Sequence, residues 1–243
     1  MYQSHSENKR FICPICGDEQ TPLLPVGSEF PVLEELHVIG AGNRNQKCHH
    51  CFSTDRDRLI YTYLRDYYSL FSPDKKTRLL HVAPESCMAK IFMTQNNISY
   101  FPIDSFEHGY NYESYIQNMN LLNLKFDDEY FDLTICNHVL QDIADDVRAM
   151  TEIYRTLKKG GIALLQVPIS DIIPDILESE ENMSERECEI MYGQRFHKRI
   201  YTLKGYVDRL HSVGFQVTTL KIGYLYPHYS LNEEETIFLA KKE

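Results

Sequence analysis

FDLTICNHVLQDI, residues 131–143, is the stretch that decides the fold of this chain. Its first six residues alternate apolar and polar side chains as a strand does, and Asn137 and His138 follow where that strand ends. A helical pattern over 145–157 comes next, and then the apolar segment GIALLQV at 161–167. Two strands joined by a helix of this length predict a parallel pair with a right-handed crossover.

The same rhythm of strand and helix runs from residue 77 to the end of the chain. It predicts a mainly parallel α/β sheet. The predicted strands are Arg78–Ala83, Ser99–Ile103, Tyr115–Met119, Phe131–Cys136, Gly161–Val167, Phe215–Ile222 and Thr236–Ala240; the predicted helices are Ser86–Asn96, Asp145–Leu157, closed by Lys158–Gly161, and Leu203–Val213.

Ligands of open α/β sheets lie beyond the carboxyl ends of the strands, so the residues at those ends are the candidate site. Asp104 ends the second strand, where a carboxylate can accept hydrogen bonds from both hydroxyls of a ribose. Asn120 follows the third strand, and Asn137 and His138 follow the fourth. Each has a plainer interpretation: a cap or loop acid for Asp104, a turn residue for Asn120, and a packing residue for His138.

The run from Phe131 to Ile143, together with EIYRTLKKGG at 152–161, resembles a block of the class I S-adenosylmethionine-dependent methyltransferases, of the type 11 kind. The likeness extends over about 77–243 through the order of strands and helices. It implies a Rossmann-like, mostly parallel sheet of seven strands with the last strand antiparallel. It implies S-adenosylmethionine as the cofactor.

The resemblance also implies roles for single residues. Val82, Ala83, Pro84 and Glu85 occupy the first loop, which wraps the methionine part of the cofactor; Asp104 binds the ribose; Asn120 and Leu121 lie at the adenine; Asn137 and His138 lie below the sulfonium. The first loop departs from the family because it has no glycine. A zinc-bearing subset of the superfamily is similar to this chain in having an H-h-A-P-E first loop.

Four cysteines near the N-terminus, Cys13, Cys16, Cys48 and Cys51, form two C-x2-C pairs. Two such turns can supply a tetrahedral site with four thiolates, so the spacing predicts structural Zn²⁺ in a small ribbon. A redox pair and an iron–sulfur site are the alternatives. His49 or His50 could replace one of the cysteines as a ligand.

The chain divides into a zinc ribbon at 1–53, a linking helix at 54–76 and a methyltransferase domain at 77–243. We expect the amphipathic helix after Ser53 to run to about Phe71, ahead of Pro73. The segment 169–202 is too long for an ordinary connection, and we interpret it as a lid.

The lid contains a locally basic run, Arg195 to Arg199, which we expect to face an anionic acceptor. His138 and His197 are the candidate catalytic residues. An exposed, solvated loop is the plainer interpretation of the basic run.

Composition limits the class of protein. The formal net charge is −10, which weighs against a broad duplex-binding face, and 43% of the residues are hydrophobic, which is enough for a core. The cysteine count of seven is odd, and neither a signal peptide nor a membrane span is visible. We therefore expect a cytoplasmic protein without a membrane partner.

The sequence thus predicts a methyltransferase that acts on a small, anionic acceptor. Two alternatives stay open: an RNA methyltransferase whose ribbon contacts rRNA or tRNA, and a non-catalytic binding module that keeps the fold without the cofactor. The nucleophile atom and the oligomeric state are not predicted.

Overall fold

A computed structural model of the protein describes residues 10–106, 111–179 and 183–243. The N-terminal part contains three short strands and two helices, of which only the second helix is longer than two turns. In chain order these are β1 (Leu24–Val26), α1 (Pro31–Glu35), β2 (Val38–Ile39), β3 (Arg44–Lys47) and α2 (Asp55–Asp66). Helix α2 begins with a capping box, in which Thr54 and Asp57 each bond to the other's backbone N–H.

The remaining chain alternates strands with helices as the sequence predicts. The elements are β4 (Thr77–Val82), α3 (Ser86–Phe92), β5 (Ile98–Asp104), β6 (Gln117–Asn118), β7 (Phe131–Asn137), α4 (Asp146–Thr156), β8 (Leu157–Gln166), β9 (Ile169–Ser170), β10 (Leu177–Glu178), α5 (Glu185–Tyr192), β11 (Arg199–Thr202), α6 (Leu203–Val213), β12 (Gln216–Leu220), a 3₁₀ turn at Gly223–Leu225 and β13 (Ile237–Lys241).

Seven strands form the main sheet in the order β12-β13-β8-β7-β4-β5-β6. Strands β8, β7, β4, β5 and β6 run parallel to one another, whereas β13 is antiparallel to both β8 and β12. The expected Rossmann-like methyltransferase sheet is therefore confirmed. This order places the switch point between β4 and β7, so a ligand site is expected beyond their carboxyl ends.

Apolar side chains cover both faces of this sheet, which explains why the central strands carry almost no exposed residues. One face packs on α2 and α3 through Leu59, Phe92, Leu79, Leu133 and Ile135. The other packs on α4 and α6 through Met150, Leu210, Leu80, Cys136 and Leu165. The rigid core fixes the strand ends that carry the polar residues of the candidate site.

A second sheet joins the N-terminal part to the insertion. Its order is β10-β11-β9-β2, and only β2 comes from outside the segment 169–202. Leu33 of α1 and Val38 of β2 share a buried cluster with Tyr192 of α5 and Ile200 of β11. The N-terminal segment around 30–41 therefore packs on the insertion; the division at residue 53 and the lid stay predictions.

Two predicted helix ends are wrong. Helix α2 ends at Asp66 and not near Phe71, because Ser69 takes a left-handed φ of 56° and the Leu70 N–H bonds back to the Leu64 carbonyl. Helix α3 ends at Phe92 and not at Asn96. Beyond α2, the apolar residues Leu70 and Phe71 keep a helical spacing, which misled the sequence-based boundary.

The lysine–glycine segment after α4 is also different from the expectation. Lys158 to Gly161 belong to β8 and do not close the helix. Gly160 has a φ of 76°, and its N–H donates to the Lys242 carbonyl at 2.7 Å. The glycines therefore lie in the irregular first part of strand β8. A helix C-terminus is often rich in lysine and glycine too, which explains the wrong expectation.

None of the helices in the described part of the chain combines the length and apolar composition that crossing a bilayer requires. Residues 180–182 of the expected lid, and residues 1–9 of the region without a visible signal peptide, lie outside the described residues.

Candidate functional site

The four N-terminal cysteines lie on two tight turns. The Gly17 N–H donates to the Cys13 carbonyl at 2.9 Å, and the Cys48 N–H donates to the Ser53 carbonyl at 2.9 Å. Gly17 has a φ of 77°, a conformation that glycine adopts at little cost. The turns point all four thiols inward, and Cys13 and Cys48 are buried.

The sulfur positions fit a four-coordinate metal site. The Sγ atoms of Cys13 and Cys51 are 3.6 Å apart, as are those of Cys16 and Cys48, and all four ligand atoms lie within 4.8 Å of one another. These separations are far longer than a disulfide bond of about 2 Å and close to the roughly 3.8 Å between sulfurs that bind one zinc ion at about 2.3 Å.

Neighbouring side chains support the four thiols as a set. The Ser53 Oγ lies 3.5 Å from the Cys13 Sγ and 3.1 Å from the Cys51 Sγ, where its hydroxyl can orient ligand sulfurs. The His49 Nε2 is 2.8 Å from the Pro22 carbonyl, so this histidine is held away from a ligand role.

The first cavity, of about 510 Å³, opens at the carboxyl ends of β4, β5 and β7, where the switch point predicts it. It is mostly lined by residues of the strand ends and the turns after them: Val82, Ala83, Asp104, Ser105, Tyr112, Met119, Asn120, Leu121, Leu122, His138, Val139, Asp142, Ile143, Ala144 and Phe196. The first cavity thus brings together six of the expected cofactor or catalytic positions: Val82, Ala83, Asp104, Asn120, Leu121 and His138.

The first loop adopts a left-handed backbone conformation without a glycine. Ala83 takes a left-handed φ of 48°, and its N–H donates to the Ile103 carbonyl at 2.8 Å. Glu85 contacts the His81 Nε2 at 2.8 Å and accepts a hydrogen bond from the Asn137 amide at 3.0 Å. These two contacts fasten the loop to β4 and β7, so Glu85 and Asn137 support the cavity from below without lining it.

The electrostatics of Glu85 agree with this role. Burial alone would raise its pKa, but the hydrogen bond and charge of His81, together with the Asn137 amide, lower the pKa of Glu85 below its usual value. The carboxylate therefore stays ionised and keeps both hydrogen bonds at neutral pH.

Asp104 and Asn120 occupy the far end of the first cavity. The Asp104 Oδ1 accepts a hydrogen bond from the Ser105 N–H at 2.8 Å, and the Asn120 Oδ1 accepts one from the Leu122 N–H at 2.8 Å. The Asn120 oxygen thus stabilises a turn, and its amide NH₂ group is the part left to contact a ligand. An aromatic pair that sequence reasoning missed, Phe106 and Tyr112, stacks here with ring centroids 4.1 Å apart.

A second cavity, of about 210 Å³, adjoins the first cavity at His138 and Asp142, which line both. Its walls come from three separate parts of the chain: Gly27, Ser28, Leu33, Ala41, Gly42 and Arg44 of the N-terminal part with Arg56 of α2; His138, Gln141, Asp142 and Pro168 of the main sheet's edge; and Gly193, Gln194 and His197 of the insertion.

His138 stands between the two cavities in a left-handed conformation, with a φ of 53°. Its N–H donates to the Gln166 carbonyl at 2.8 Å, which holds the residue beyond the end of β7. Burial and the positive charge of Arg56 lower the pKa of His138 well below its usual value. The imidazole is therefore neutral at pH 7 and able to accept a proton or a hydrogen bond.

Two arginines that sequence reasoning missed supply the positive charge of the second cavity. Arg44 makes two hydrogen bonds of 2.7 Å to the buried carboxylate of Asp55. Arg56 donates one hydrogen bond to the Gly40 carbonyl at 2.9 Å. Both lie close in sequence to the four clustered cysteines, and nothing in their spacing distinguishes them from other arginines of the chain.

Polar atoms without partners concentrate at this second cavity. Among the residues that the structure describes, the Arg56 Nε, the Gln141 Oε1 and both ring nitrogens of His138 are buried and have no hydrogen-bond partner. Buried polar groups are nearly always satisfied in folded proteins, so this concentration marks a site that a polar ligand or water completes.

The residues of the basic run, 195–199, face different parts of the structure and do not form one surface. His197 lines the second cavity, and burial lowers its pKa to about 4. Phe196 lines the first cavity. The expectation that Arg199 faces an acceptor is wrong: its guanidinium is buried and donates to the carbonyls of Leu140, Ile143 and Ala144.

Comparisons with known proteins agree with this geometry. The sequence model described as "Methyltransferase domain" matches residues 88–165, the segment from α3 to β8. A search of the curated proteins found no match.

Solved structures with a similar fold include the [4+2]-cyclase SpnF (13% identity, TM-score 0.49, covering 77% of this chain and 80% of that chain). A SAM-dependent methyltransferase from Archaeoglobus fulgidus matches at 14% identity and a TM-score of 0.47, over 76% of this chain and 93% of that chain. A third, from Mesorhizobium loti, matches at 12% identity and a TM-score of 0.48, over 74% of this chain and 96% of that chain. These identities are too low to transfer a substrate, a partner or a reaction.

The strand order and the matched segment lead to one conclusion. Residues 88–165 match a methyltransferase domain, and the sheet that contains them has the Rossmann-like methyltransferase fold, here with an N-terminal four-cysteine cluster that is compatible with a zinc ribbon.

Proposed function

We propose that this protein is an S-adenosylmethionine-dependent methyltransferase that acts on a small, anionic acceptor. The observation that carries the proposal is the junction of the two cavities at His138 and Asp142. A cofactor in the first cavity and an acceptor in the second would meet beside these two side chains. Aligning two reactants in this way is a large source of rate enhancement.

The first cavity fits the cofactor in size and in chemistry. Its volume of about 510 Å³ lies within the range of small-molecule sites. Asp104 would hold the ribose hydroxyls, Asn120 and Leu121 the adenine, and the backbone of Val82 to Pro84 the methionine part. When bound, S-adenosylmethionine supplies an electrophilic methyl group; Asn137 and Glu85 fix the loop beneath it.

The second cavity fits a small anion. Arg44 is already paired with Asp55, whereas the Arg56 guanidinium keeps a buried Nε that lacks a hydrogen-bond partner among the described residues. Guanidinium groups bind carboxylates and phosphates through paired hydrogen bonds. The neutral imidazoles of His138 and His197 and the Gln141 oxygen add acceptors for the hydroxyl or amine protons of the same molecule.

The cysteine cluster would hold a structural zinc ion. Four thiolates fill a tetrahedral zinc site and leave no open position for a substrate, so the metal would organise the N-terminal part and take no part in methyl transfer. His49 is not needed as a ligand, because four sulfurs already converge.

A labelling screen tests the proposal. Purified protein is incubated with methyl-labelled cofactor and with either a panel of small carboxylates and phosphates or total RNA. We expect label in a small anionic compound. Labelling of RNA alone would overturn the small-acceptor assignment, and no binding of S-adenosylhomocysteine would overturn the enzyme assignment.

Arg56→Gln tests whether the second cavity binds an anionic acceptor. Losing a charge-assisted contact costs about 1.5–3 kcal/mol, so the KM for the acceptor should rise by about 10- to 100-fold with cofactor affinity unchanged. Arg186→Gln removes an exposed arginine of α5 that lines neither cavity and is the control. Equal KM values for the wild type and Arg56→Gln would contradict the anionic-acceptor assignment.

A further inference from the structure

Glu235 is a buried carboxylate that neither the sequence nor the proposed roles account for. It lies just before β13, and only 3% of its surface is exposed. Ionisable side chains are almost never this buried unless they are paired. Its Oε1 is 3.8 Å from the Nε2 of His138, and its Oε2 is buried with no hydrogen-bond partner among the described residues.

The backbone around Glu235 is shaped to admit it. Gly40 has a φ of 83°, and a Cβ added there would lie 2.8 Å and 2.9 Å from the two carboxylate oxygens of Glu235. Any other residue at position 40 would displace the carboxylate. The N-terminal part therefore provides, at Gly40, the space that the Glu235 carboxylate occupies beside His138.

Resting on the proposed function, we infer that Glu235 is the positioning residue of a His138–Glu235 pair, and that the methyl acceptor is a protic nucleophile, a hydroxyl or an N–H group, whose proton this pair takes up. His138 borders both cavities and touches the acceptor; Glu235 acts through His138. Glu235 faces the Nε2 of an imidazole whose ring nitrogens have no hydrogen-bond partner among the described residues, and a carboxylate there stabilises an imidazolium and selects its tautomer.

The step balances without any further reactant. The O–H or N–H bond of the acceptor breaks, and the electron pair of that atom forms the new bond to the methyl carbon. The sulfonium keeps the electrons of its broken carbon–sulfur bond and becomes a neutral thioether. The proton passes to a ring nitrogen of His138, and the Glu235 carboxylate compensates the positive charge that forms.

Several charged groups face the pair and set its protonation. Arg44 from β3, Asp55 and Arg56 from the start of α2, and His197 from the insertion act on Glu235 or on His138. Burial raises the pKa of Glu235 to about 7 although Arg56 opposes the shift. In the pair that we infer, ionisation of Glu235 near neutral pH prepares His138 to receive a proton.

The distance of 3.8 Å exceeds a hydrogen bond. Catalytic hydrogen bonds are often long before the ligands bind and shorten in the complex. A side-chain rotation that moves the Glu235 Oε1 by about 1 Å would bring it within hydrogen-bond distance of the His138 Nε2. The His138 ring nitrogens and the Glu235 Oε2 have no hydrogen-bond partner among the described residues, so no such bond of theirs has to break.

Nuclear magnetic resonance of ¹⁵N-histidine-labelled full-length protein, saturated with S-adenosylhomocysteine, tests the pair directly. The His138 signals are assigned from a His138→Gln sample and followed from about pH 5 to pH 9. In the wild type we expect one tautomer and a titration step near pH 7 that reports Glu235. Glu235→Gln should abolish that step and mix the tautomers, whereas the exposed neighbour Glu234→Gln should leave both unchanged.

A His138 signal that titrates identically in the wild type and in Glu235→Gln would overturn the pair. The measurement needs neither an acceptor nor turnover, so this result would leave the proposed function standing; lack of S-adenosylhomocysteine binding would instead remove the proposed function. Glu235→Asp, which keeps the charge on a shorter side chain, serves if Glu235→Gln does not fold, and it should retain the titration step.

Kinetics provide the second readout once an acceptor is known. Glu235→Gln should lower kcat by about 10- to 100-fold, as loss of a supporting residue does, with the acceptor KM changed less than about threefold. The acidic limb of the pH profile near pH 7 should disappear, and Glu235→Asp should restore part of the rate. An unchanged kcat at every pH would overturn the positioning role.

Discussion

At the scale of single residues, left-handed backbone marks the functional edge of the sheet. Ala83 and His138 have φ values of 48° and 53°, and both follow a central strand directly. Such conformations cost a residue other than glycine roughly 1–2 kcal/mol and are retained where the surroundings enforce them. The first loop thus keeps the backbone path that glycine usually supplies, and the Glu85 contacts hold it there.

Substitutions at Ala83 test this explanation. Ala83→Gly should change the free energy of unfolding by less than about 1 kcal/mol, because relief of the left-handed strain offsets the greater entropy of the unfolded chain. Ala83→Val should lower it by about 2 kcal/mol, because a β-branched side chain resists positive φ. Urea unfolding measures both. A stable Ala83→Val protein would show that the loop is not strained.

The buried carboxylate of Glu235 predicts a pH-dependent difference in stability. Because burial raises its pKa in the folded state from 4.5 to about 7, the folded chain binds this proton more tightly than the unfolded chain does. The contribution of protonated Glu235 to the free energy of unfolding is fully present below about pH 4.5 and is lost as the pH rises through about 7.

Glu235→Gln carries no charge to bury, so it should exceed the wild type in the free energy of unfolding by about 3 kcal/mol at pH 8 and by much less at pH 5. Urea unfolding at both pH values measures the difference, with Glu234→Gln as the control. A difference that does not change with pH would contradict the raised pKa.

At the scale of elements, strand β3 connects the cysteine cluster to the second cavity. Arg44 begins this strand and Cys48 follows its last residue, while Arg56 comes five residues after Cys51. The bidentate contact between Arg44 and Asp55 joins the two segments. The chain segments that carry the cysteine cluster therefore also carry both arginines of the second cavity.

Metal removal should accordingly disorder β3. Metal analysis should give about one zinc ion per chain, and the Cys13→Ser, Cys48→Ser double variant should lose it, because ligand binding and folding are coupled in such sites. In the metal-free protein, hydrogen exchange should accelerate at residues 44–48 while β4 and β7 stay protected. Retained zinc in the double variant would refute the assigned ligands.

The insertion depends on Arg199 for its attachment to the main sheet. Three backbone carbonyls after β7 and the carboxylate of Glu178 accept hydrogen bonds from this buried guanidinium. Arg199→Gln should lower the free energy of unfolding by about 3 kcal/mol, as does removal of one partner of a buried ion pair. Lys198→Gln is the neighbouring control. Equal free energies of unfolding for the two variants would contradict this structural role of Arg199.

The main elements and one part of the candidate site are predictable from the sequence. Central strands are buried on both faces and read as apolar runs, and their polar ends identify Asp104 and His138. Arg44, Arg56 and Glu235 are not predictable in this way. They come from a loop-rich segment, a helix start and an edge connection, and only the packing of these parts brings them close to His138.

At the scale of the whole molecule, the protein combines a cofactor fold with a site assembled from three parts. The main sheet supplies the first cavity, and the N-terminal part and the insertion close the second cavity against its edge. The shared sheet β10-β11-β9-β2 and the common apolar cluster hold those two parts together. Under the proposed function, specificity for an acceptor can change in the added parts without altering the first cavity.

Calorimetric titration with S-adenosylhomocysteine tests whether the first cavity binds the cofactor. We expect one site per chain in the wild type and in Asp127→Ala, an exposed aspartate that lines neither cavity. Asp104→Ala should bind about 10- to 100-fold more weakly, which corresponds to the loss of about 1–3 kcal/mol of charge-assisted hydrogen bonding. Absence of binding to the wild type, or equal affinity in Asp104→Ala, would show that the first cavity is not the cofactor site.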